Sequence, residues 1–478
     1  MIAQRYPYWL AGAPVYANSD LALRDKCSGA EIARVAWADV ATLDRACDAA
    51  FESFALSRAL ASYQRREILQ HVAARLTQRE AEFAHVLAVE VGKPIRDARV
   101  ELQRAVDAFR IAADEMSRQT GDYLALDISA RARGLQGIVR RFPRGVCGFI
   151  TPFNFPLNLA AHKIAPALAT GCPFVLKPAS VTPVTSLLLA EIIAETQWPR
   201  GAFSVLPAPG ATAEALARHP RVASLSFTGS PDVGWRLREI AATKHVSLEL
   251  GGNAACIVDQ DADLDRAAER ITFGAFFQSG QSCISVQRVL AHRSIYELLR
   301  EALRVRAAEW TPGDPLDETA RLGPLISTAE AERVRAWIAQ ALAAGATRLC
   351  GHDGEGPFMP PNWFENVPED ALLECREAFG PVATLSVFDD FAEALARVNR
   401  SPFGLQAGVF TRDIHRAFAA FEQLEVGGVV INDIPGVRVE SMPYGGVKQS
   451  GMGREGVRYM MDELTEPRLM LLSGIGGA

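Results

Sequence analysis

The length, composition and charge of the chain exclude several classes of protein. At 478 residues it is too long for one simple core, so we expect two or three domains. Hydrophobic residues make up 49% and charged residues 22%, as in ordinary globular proteins, and a net charge of −6 argues against a nucleic-acid-binding surface. No apolar run approaches the roughly 18 residues of a membrane span, and the start shows no signal-peptide pattern. The eight cysteines form no Cys-x-x-Cys pair and no cluster with histidine, so we expect no metal and a cytoplasmic location.

A helical segment is predicted over 39–118, and from Gly145 the chain is predicted to alternate between strands and helices. Residues 39–118 carry Ala, Leu, Arg and Glu at helical spacing, and a predicted helix over 101–116 bears Arg104. The strands predicted next are 146–150, 174–177, 203–206 and 222–227, and the helices between them are 157–170, 183–196 and 211–218. This alternation predicts an α/β fold with a parallel sheet covered on both faces.

A second α/β block is predicted to begin near residue 252. Its strands are predicted at 254–258, 286–292, 381–388 and 406–410, and its helices at 263–277, 295–308 and 329–344. The segments 123–142 and 468–472 read as strands detached from both blocks. Because unpaired strand edges are usually covered, we expect them to form an arm that pairs with another subunit.

Cys283 is the cysteine whose neighbours indicate chemistry. It lies among Gly, Gln and Ser, in a loop that leaves the sulfur reachable, whereas Cys172 and Cys256 lie in apolar runs typical of packing. Glu249 ends a predicted strand before two glycines, and Asn154 lies in a turn-rich segment. Together these residues can supply a nucleophile, a general base and an oxyanion donor, which predicts acyl chemistry through a thioester. The alternative for Glu249 is a solvated glutamate at a hinge.

Three further polar features lie at predicted strand ends or on a helix. The segment Phe227-Thr228-Gly229-Ser230 opens a helix whose N-terminal amides can hold a pyrophosphate, although it is not a GxGxxG fingerprint. Lys177 ends a strand at the edge where open α/β sheets bind ligands, and its alternative is a surface lysine. Asn154, Asn158 and His162 share one helix face if the helix begins near Asn154. That face is either a polar tunnel wall or a satisfied asparagine and a core histidine.

Together these residues resemble the motifs of the aldehyde dehydrogenase superfamily, of the NAD(P)-dependent, non-acylating type, through nearly the whole chain. The motifs are Phe153-Asn154-Phe155-Pro156-Leu157, Lys177-Pro178-Ala179-Ser180, Phe227-Thr228-Gly229-Ser230, Leu248-Glu249-Leu250-Gly251-Gly252, Gly280-Gln281-Ser282-Cys283, Glu377-Ala378-Phe379-Gly380-Pro381-Val382 and Pro443-Tyr444-Gly445-Gly446-Val447-Lys448-Gln449-Ser450-Gly451. The resemblance implies that Cys283 attacks an aldehyde, that Asn154 and the Cys283 N–H hold the oxyanion, and that Glu249 activates water. Lys163 matches a family lysine near the active site and is a further catalytic candidate.

The resemblance also implies how the domains and the cofactor are arranged. It implies a Rossmann-like cofactor domain over 1–122 and 143–251, an α/β catalytic domain over 252–450, and a small β oligomerisation arm over 123–142 and 451–478. A homodimer or homotetramer is expected. The implied cofactor-binding residues are Ile150, Thr151, Pro152, Phe153, Lys177, Ser180, Gly210, Phe227, Thr228, Gly229, Ser230, Leu250, Glu377 and Phe379. NAD-preferring relatives often have glutamate at the position of Ser180, so the choice between NAD and NADP stays open.

Five residues are implied to line the substrate tunnel: Arg104, Asn158, His162, Ile284 and Arg438. Arginine binds carboxylate, phosphate or phosphonate through two parallel hydrogen bonds. We therefore expect a small polar or anionic aldehyde, similar to phosphonoacetaldehyde, phosphoglyceraldehyde, a semialdehyde or lactaldehyde. The alternative for Arg104 and Arg438 is a structural role as ion-pair partners.

Two other functions stay open at this point. One is a CoA-acylating aldehyde dehydrogenase, against which Glu249 argues because acylating relatives often lack that base. The other is a non-catalytic binding or structural member of the fold, against which the intact set of Asn154, Glu249 and Cys283 argues.

Overall fold

The structure is a computed structural model that describes residues 2–17, 19–118 and 121–473. The predicted domain ranges also include residues 1, 18, 119–120 and 474–478, which lie outside the described residues. Within the described ranges, none of the helices combines the length and the hydrophobicity that crossing a bilayer requires.

Helices cover the sheets. The helices are α1 (Val40–Glu52), α2 (Phe54–Ala59), α3 (Ser62–Gln78), α4 (Glu80–Val91), α5 (Ile95–Glu115), α6 (Pro156–Thr170), α7 (Val184–Ala194), α8 (Ala211–Arg218), α9 (Pro231–Ala241), α10 (Leu264–Phe276), α11 (Tyr296–Ala307), α12 (Thr328–Ala343), α13 (Leu372–Cys375), α14 (Phe391–Asn399), α15 (Ile414–Gln423) and α16 (Val457–Glu463). Of these, α6, α7, α8, α10, α11 and α12 lie close to their predicted bounds. The helix predicted over 101–116 begins earlier, at Ile95. Pro94 flanks its start in an extended conformation, and Asp97 lies in the first turn, where the helix dipole favours negative charge.

Strands account for most of the remaining ordered chain. They are β1 (Arg5–Tyr6), β2 (Tyr8–Leu10), β3 (Ala13–Val15), β4 (Asp20–Arg24), β5 (Glu31–Ala36), β6 (Asp122–Ala125), β7 (Leu135–Pro143), β8 (Val146–Ile150), β9 (Phe174–Lys177), β10 (Phe203–Val205), β11 (Val222–Thr228), β12 (His245–Glu249), β13 (Ala254–Val258), β14 (Val286–His292), β15 (Thr347–Cys350), β16 (Asn362–Glu365), β17 (Val382–Phe388), β18 (Phe403–Gly404), β19 (Gln406–Phe410), β20 (Gly428–Ile431), β21 (Val447–Lys448), β22 (Gly451–Met452) and β23 (Thr465–Ser473). Short 3-10 turns occur at Ala130–Ala132, Arg200–Ala202, Phe277–Gly280 and Arg293–Ile295.

The first large sheet has the strand order β22-β12-β11-β8-β9-β10-β2-β3. Strands β12, β11, β8, β9 and β10 run parallel, and β8 and β9 are buried along their whole length, as helices on both faces require. The chain passes from β8 to β9 and β10 on one side but continues to β11 and β12 on the other. The order therefore reverses between β8 and β11, which leaves a crevice outside the carboxyl ends of these two strands.

The second large sheet has the order β15-β16-β17-β14-β13-β19-β20 and is parallel except for β15. Phe276, Trp363 and Phe410 form part of the core on one of its faces. The link from β12 to β13 joins the two sheets and passes close to the loop of Cys283. A Cβ on Gly252 would overlap the carbonyl oxygen of Cys283, so this close approach requires glycine.

A small antiparallel sheet of β6, β7 and β23 stands apart from both large sheets and contains the two segments predicted to form an arm. The predicted arm range 451–478 begins too early, because β22 pairs with β12 of the first sheet. In α16, Val457, Met460 and Met461 are buried in the core beneath that sheet, and burying this apolar face ties the helix to the first block. Of the tail's described residues, Thr465–Ser473 alone joins the small sheet. The rest of the domain division stays a prediction.

Candidate active site

A cavity of about 720 Å³ lies at the crevice between β8 and β11, where the two large sheets meet. Three of the predicted catalytic residues line it: Asn154 after β8, Glu249 at the end of β12, and Cys283 before β14. Lys163 does not line the cavity. Its buried Nζ lies 2.7 Å from the Ser226 hydroxyl and 2.7 Å from Oε1 of Glu455, behind the cavity wall.

The loop before Cys283 has an uncommon backbone conformation. Gln278 and Ser279 have φ angles of 57° and 55°, in the left-handed region, and Gly280 follows with 70°. Non-glycine residues in this region cost about 1–3 kcal/mol each and persist only where their surroundings hold them. Here the Gln278 amide donates to the carbonyl oxygen of Asn154 at 3.1 Å, and the Ser279 hydroxyl donates to a neighbouring backbone carbonyl at 2.8 Å. A hydrogen bond therefore connects the loop before Cys283 directly to Asn154, the predicted oxyanion donor.

Asn154 is also held from behind by a buried ion pair that the sequence did not reveal. Lys93 pairs with Glu101, with both side chains fully buried, and its Nζ donates to the Asn154 carbonyl oxygen at 2.8 Å. Oε1 of Glu101 accepts the backbone N–H groups of Leu157 at 2.9 Å and Asn158 at 3.1 Å, at the start of α6. A lysine and a glutamate eight residues apart are too common in sequences to signal such a pair.

Glu249 is buried, and neither of its carboxylate oxygens has a hydrogen-bond partner among the described residues. Burial raises the pKa of Glu249 well above its usual value, and the negative charge of Glu455 adds to the effect. Gly445 packs beside it with a φ of 158°, and a Cβ there would lie 2.9 Å from Oε1. A buried carboxylate with a raised pKa at a cavity wall is typical of a general base.

Cys283 keeps part of its surface open to the cavity, as predicted for a reachable thiol. Its Sγ lies 3.1 Å from the hydroxyl of Tyr444. Burial raises the pKa of the Cys283 thiol to about 12, although the hydrogen bond with Tyr444 lowers it. The sequence motif Pro443-Tyr444-Gly445-Gly446 contains Tyr444 but predicts no role for it, because nothing in the sequence indicates that this loop folds back onto Cys283.

The predicted cofactor residues lie along the carboxyl-terminal edge of the first sheet, except for Glu377 and Phe379, which come from the second block. Those that line the cavity are Pro152, Phe153, Thr228, Gly229, Ser230, Leu250, Glu377 and Phe379. The others, which do not line it, are Ile150, Thr151, Lys177, Ser180, Gly210 and Phe227. Strand pairing sets Phe227 beside Ile150 and Ile150 beside Lys177, and Gly210 precedes α8 on the same edge.

Unsatisfied polar groups along this edge fit a dinucleotide. Among the residues that the structure describes, the hydroxyls of Thr151 and Thr228 are buried without a partner, and the Lys177 ammonium makes one long hydrogen bond, 3.5 Å, to its neighbouring carbonyl. Burial lowers the pKa of Lys177 to about 8. A Cβ on Gly229 would lie 2.5 Å from the Phe227 ring, so this position before α9 has no room for a side chain. Ribose hydroxyls and phosphate oxygens are the partners that such buried groups lack.

Glu377 and Phe379 border the cavity from the second block. Glu377 Oε1 accepts the Gly252 N–H at 3.0 Å, and burial raises the pKa of Glu377 to about 7. Phe379 has a φ of 51° and packs edge-on against Phe153, with ring centres 5.7 Å apart. Two aromatic rings and a carboxyl group therefore face the same part of the cavity from opposite domains.

Arg104 and Arg438 line the cavity, as expected for substrate-tunnel residues. Each also forms an ion pair, as expected for the alternative structural role. Nε of Arg104 lies 2.6 Å from Glu440, and Nη2 of Arg438 lies 3.0 Å from Glu455. Each guanidinium keeps a buried nitrogen, Nη2 of Arg104 and Nε of Arg438, without a partner among the described residues. The ion pairs orient the guanidinium groups without using all of their donors.

Asn158 and Ile284 line the cavity, but His162 does not. His162 is fully buried 3.8 Å from Glu440, and burial, together with the charge of Arg438, lowers its pKa, which keeps the ring neutral. The helix does not begin near Asn154, because Pro156 occupies the first turn of α6, a position that proline favours. Asn154 therefore precedes the helix and does not share a helix face with the other two.

Comparison with known proteins agrees with this geometry. A model of the aldehyde dehydrogenase family matches residues 16–470. The chain belongs to the aldehyde dehydrogenase family. Its 3-sulfolactaldehyde dehydrogenase relative from Priestia aryabhattai is 42% identical over 420 residues, which cover 88% of each chain.

Two solved structures of family members resemble the whole chain. Aldehyde dehydrogenase 21 from Physcomitrella patens, in complex with its reaction product succinate, is 43% identical with a TM-score of 0.98 and covers 100% of both chains. Glyceraldehyde-3-phosphate dehydrogenase from Methanocaldococcus jannaschii, in complex with NADP, is 35% identical with a TM-score of 0.92 and covers 96% of this chain and 100% of that one. The predictions of an α/β fold and of an NAD(P)-dependent aldehyde dehydrogenase are confirmed.

Proposed function

We propose that the protein oxidises a small anionic aldehyde to the carboxylic acid with NAD or NADP, through a thioester on Cys283. The observation that carries the substrate class is the pair of guanidinium groups, Arg104 and Arg438, on the cavity that also holds Asn154, Glu249 and Cys283. Guanidinium donors at the wall of a largely apolar cavity favour a ligand that ends in a carboxylate, sulfonate or phosphate.

The relatives support the same substrate class. One is named for 3-sulfolactaldehyde, which carries a sulfonate, another was solved with succinate as its product, and a third is named for a phosphorylated three-carbon aldehyde. Two lactaldehyde dehydrogenases from Methanococcus species are 35–36% identical, which agrees with a hydroxylated chain beside the aldehyde. Asn158, on the cavity wall, is a suitable partner for such a hydroxyl.

The first step joins the substrate to the enzyme. The Cys283 thiolate attacks the aldehyde carbon, a C–S bond forms, and the carbonyl electron pair moves to the oxygen. The Asn154 side-chain amide and the Cys283 backbone N–H donate to that oxygen, and one such donor is worth about 10²- to 10³-fold in rate. The bound cofactor supplies the acceptor for the hydride that leaves the captured carbon. A thioester on Cys283 is the product of this half-reaction.

The groups for holding the cofactor follow from its chemistry. Lys177 and Ser180 would hold the adenosine ribose, the amides at Thr228–Ser230 would hold the pyrophosphate, and Glu377 would hold the nicotinamide ribose. Phe379 would pack beside that ribose, and Lys163 would act from behind the cavity wall by holding Glu455, to which its Nζ is paired at 2.7 Å.

Glu249 acts in the second half-reaction. Its carboxylate removes a proton from a water molecule, the resulting hydroxide attacks the thioester carbon, and the C–S bond breaks to release the acid and the Cys283 thiolate. A glutamate of ordinary pKa is a weak base near neutral pH, and the raised pKa of Glu249 makes it a stronger one. Hydrolysis by water, rather than transfer to CoA, is the outcome that this base favours.

Aldehyde turnover tests the proposal directly. Succinate semialdehyde, 3-sulfolactaldehyde and lactaldehyde would be compared with hexanal and benzaldehyde, with NAD and NADP in parallel and with CoA added to duplicate assays. We expect kcat/KM to be highest for the anionic aldehydes and CoA to have no effect. Absorbance of the reduced cofactor reports each rate.

The Arg104→Met variant tests the anion-binding group. We expect KM for anionic aldehydes to rise about 10- to 100-fold, the equivalent of one charge-assisted hydrogen-bonding pair, with little change for hexanal. Arg110→Met is the matched control, because Arg110 lies on the same helix, about half exposed. Highest kcat/KM for long-chain or aromatic aldehydes, together with an unchanged Arg104→Met, would contradict the proposed substrate class.

The assembly we propose is a homodimer or homotetramer formed through the small sheet. Leu469, Met470 and Leu471 on β23 are each about half exposed, and these apolar side chains, on alternating faces of the sheet, are a surface that a second copy would cover. Light scattering measures the mass in solution, and a monomer at micromolar concentration would contradict this part of the proposal.

A further inference from the structure

We propose that Tyr444 is a catalytic residue whose hydroxyl donates a hydrogen bond to the Cys283 sulfur and favours its attacking thiolate form. The consequence for turnover rests on the proposed function, but the contact itself does not depend on any substrate. In the described residues, Tyr444 provides the hydrogen-bond partner of this sulfur, at 3.1 Å.

The backbone holds the Tyr444 ring in place. Tyr444 and Glu455 form an antiparallel bridge in which each backbone N–H donates to the other's carbonyl oxygen, at 3.0 and 2.6 Å. The ring is 3% exposed and lines the cavity together with Cys283. A side chain fixed in this way loses little entropy when it forms the hydrogen bond, so its hydroxyl stays directed at the sulfur.

Donor chemistry and one observation favour the Tyr444 hydroxyl as the donor. A thiol S–H is a weak donor, whereas a phenol O–H is a good one and a thiolate is a charged acceptor. The guanidinium carbon of Arg438 lies 3.8 Å from the centre of the Tyr444 ring, and its positive charge draws electron density from the ring, which strengthens the O–H as a donor. Glu455 holds Arg438 there through the 3.0 Å ion pair.

The other charged groups around the sulfur make this donor important. Glu249 and Glu377 oppose a negative charge on Cys283, and Arg438 favours it. Burial raises the pKa of Cys283 to about 12 even with the hydrogen bond in place. When the thiol ionises, its proton passes to water or to the Glu249 carboxylate, and the phenol keeps its own proton. Tyr444 therefore stabilises the thiolate without taking part in the proton transfer.

The pH dependence of Cys283 alkylation tests the proposal without an aldehyde or a cofactor. The rate of reaction with iodoacetamide would be measured against pH for the wild type and Tyr444→Phe, with the rate of Cys283→Ser subtracted to remove the other cysteines. The midpoint of the curve of rate against pH reports the pKa of the Cys283 thiol. Because a hydrogen bond to a charged group is lost, we expect this midpoint to rise by about one to two pH units in Tyr444→Phe. Below both midpoints this is a fall of about 10- to 100-fold in rate.

Tyr296→Phe is the matched control, since its hydroxyl donates to Glu365 at 2.9 Å, in a different part of the second block. Its midpoint should not move. An unchanged midpoint in Tyr444→Phe would overturn the proposal, and a lower one would show that the hydroxyl accepts from the thiol instead. If Tyr444→Phe does not fold, 3-fluorotyrosine at position 444 replaces it. Its more acidic O–H is a stronger donor and should lower the midpoint, whereas no shift again overturns the proposal.

The same experiment separates this inference from the proposed function. A raised midpoint in Tyr444→Phe, with no NAD(P)H formed from any aldehyde by the wild type, would remove the oxidation proposal and leave the role of Tyr444 in thiol ionisation. Aldehyde turnover by the wild type with an unchanged midpoint in Tyr444→Phe would support the oxidation proposal and remove the role of Tyr444 in thiol ionisation.

Discussion

Replacing Lys93 by methionine should cost more stability than replacing both members of its ion pair with Glu101. Both side chains are fully buried, so Lys93→Met leaves a carboxylate in the interior without its counter-charge. Breaking a buried pair in this way costs about 3–5 kcal/mol of unfolding free energy. In Lys93→Met/Glu101→Gln no charge is left unpaired, and the glutamine oxygen still accepts the backbone N–H groups at the start of α6. We expect that loss to be smaller, about 1–3 kcal/mol.

The pair should affect catalysis as well, because Lys93 holds the carbonyl oxygen of Asn154 at 2.8 Å. Without Lys93, the predicted oxyanion donor Asn154 is positioned less precisely. We therefore expect kcat to fall at least about tenfold with a smaller change in KM. Urea unfolding of the wild type, both single variants and the double variant gives the stability cycle, and turnover gives kcat.

Arg99 and Glu318 are the matched control pair for this cycle. Arg99 lies on the same helix α5 and forms a two-point ion pair with Glu318, at 2.8 and 2.6 Å, but both side chains are exposed. Solvent screens such a pair, so its removal should change little. Equal losses in Lys93→Met and the double variant, or equal behaviour of the buried and exposed pairs, would refute the reasoning from a buried charge.

Two further predictions concern the general base and the cofactor. Because the pKa of Glu249 is raised, its ionised form appears only at higher pH, so thioester hydrolysis should accelerate as pH rises through a range above that of an ordinary glutamate. Glu249→Gln should give a burst of about one NAD(P)H per subunit followed by slow turnover, and stopped-flow absorbance without a burst would contradict this. Ser180→Glu should lower kcat/KM for NADP about tenfold or more and leave NAD little affected, since like charges repel. The neutral Ser180→Gln is its control, and equal losses with both cofactors would argue against a 2′-phosphate near this position.

Much of the local structure could be predicted, because it depends on residues close in sequence. The apolar run at Ala254–Val258 predicts β13 with its observed bounds, and the helical spacing at Ala211–Arg218 does the same for α8. The family resemblance implies that the segment 451–464 belongs to the arm. Only the packing of α16 against α5 and α6 reveals that it belongs to the first block.

By itself, the sequence determined the family and the α/β fold, and it predicted the nucleophile, the base and the oxyanion donor. Each of these is carried by a short motif whose residue types the chemistry requires. The tertiary structure decided which distant groups contact these residues. Tyr444, 161 residues from Cys283 along the chain, lies at the Cys283 sulfur, and Lys93, 61 residues from Asn154, lies behind that predicted oxyanion donor. Such contacts depend on how the sheets and loops pack, and residue spacing carries no information about distances of that kind.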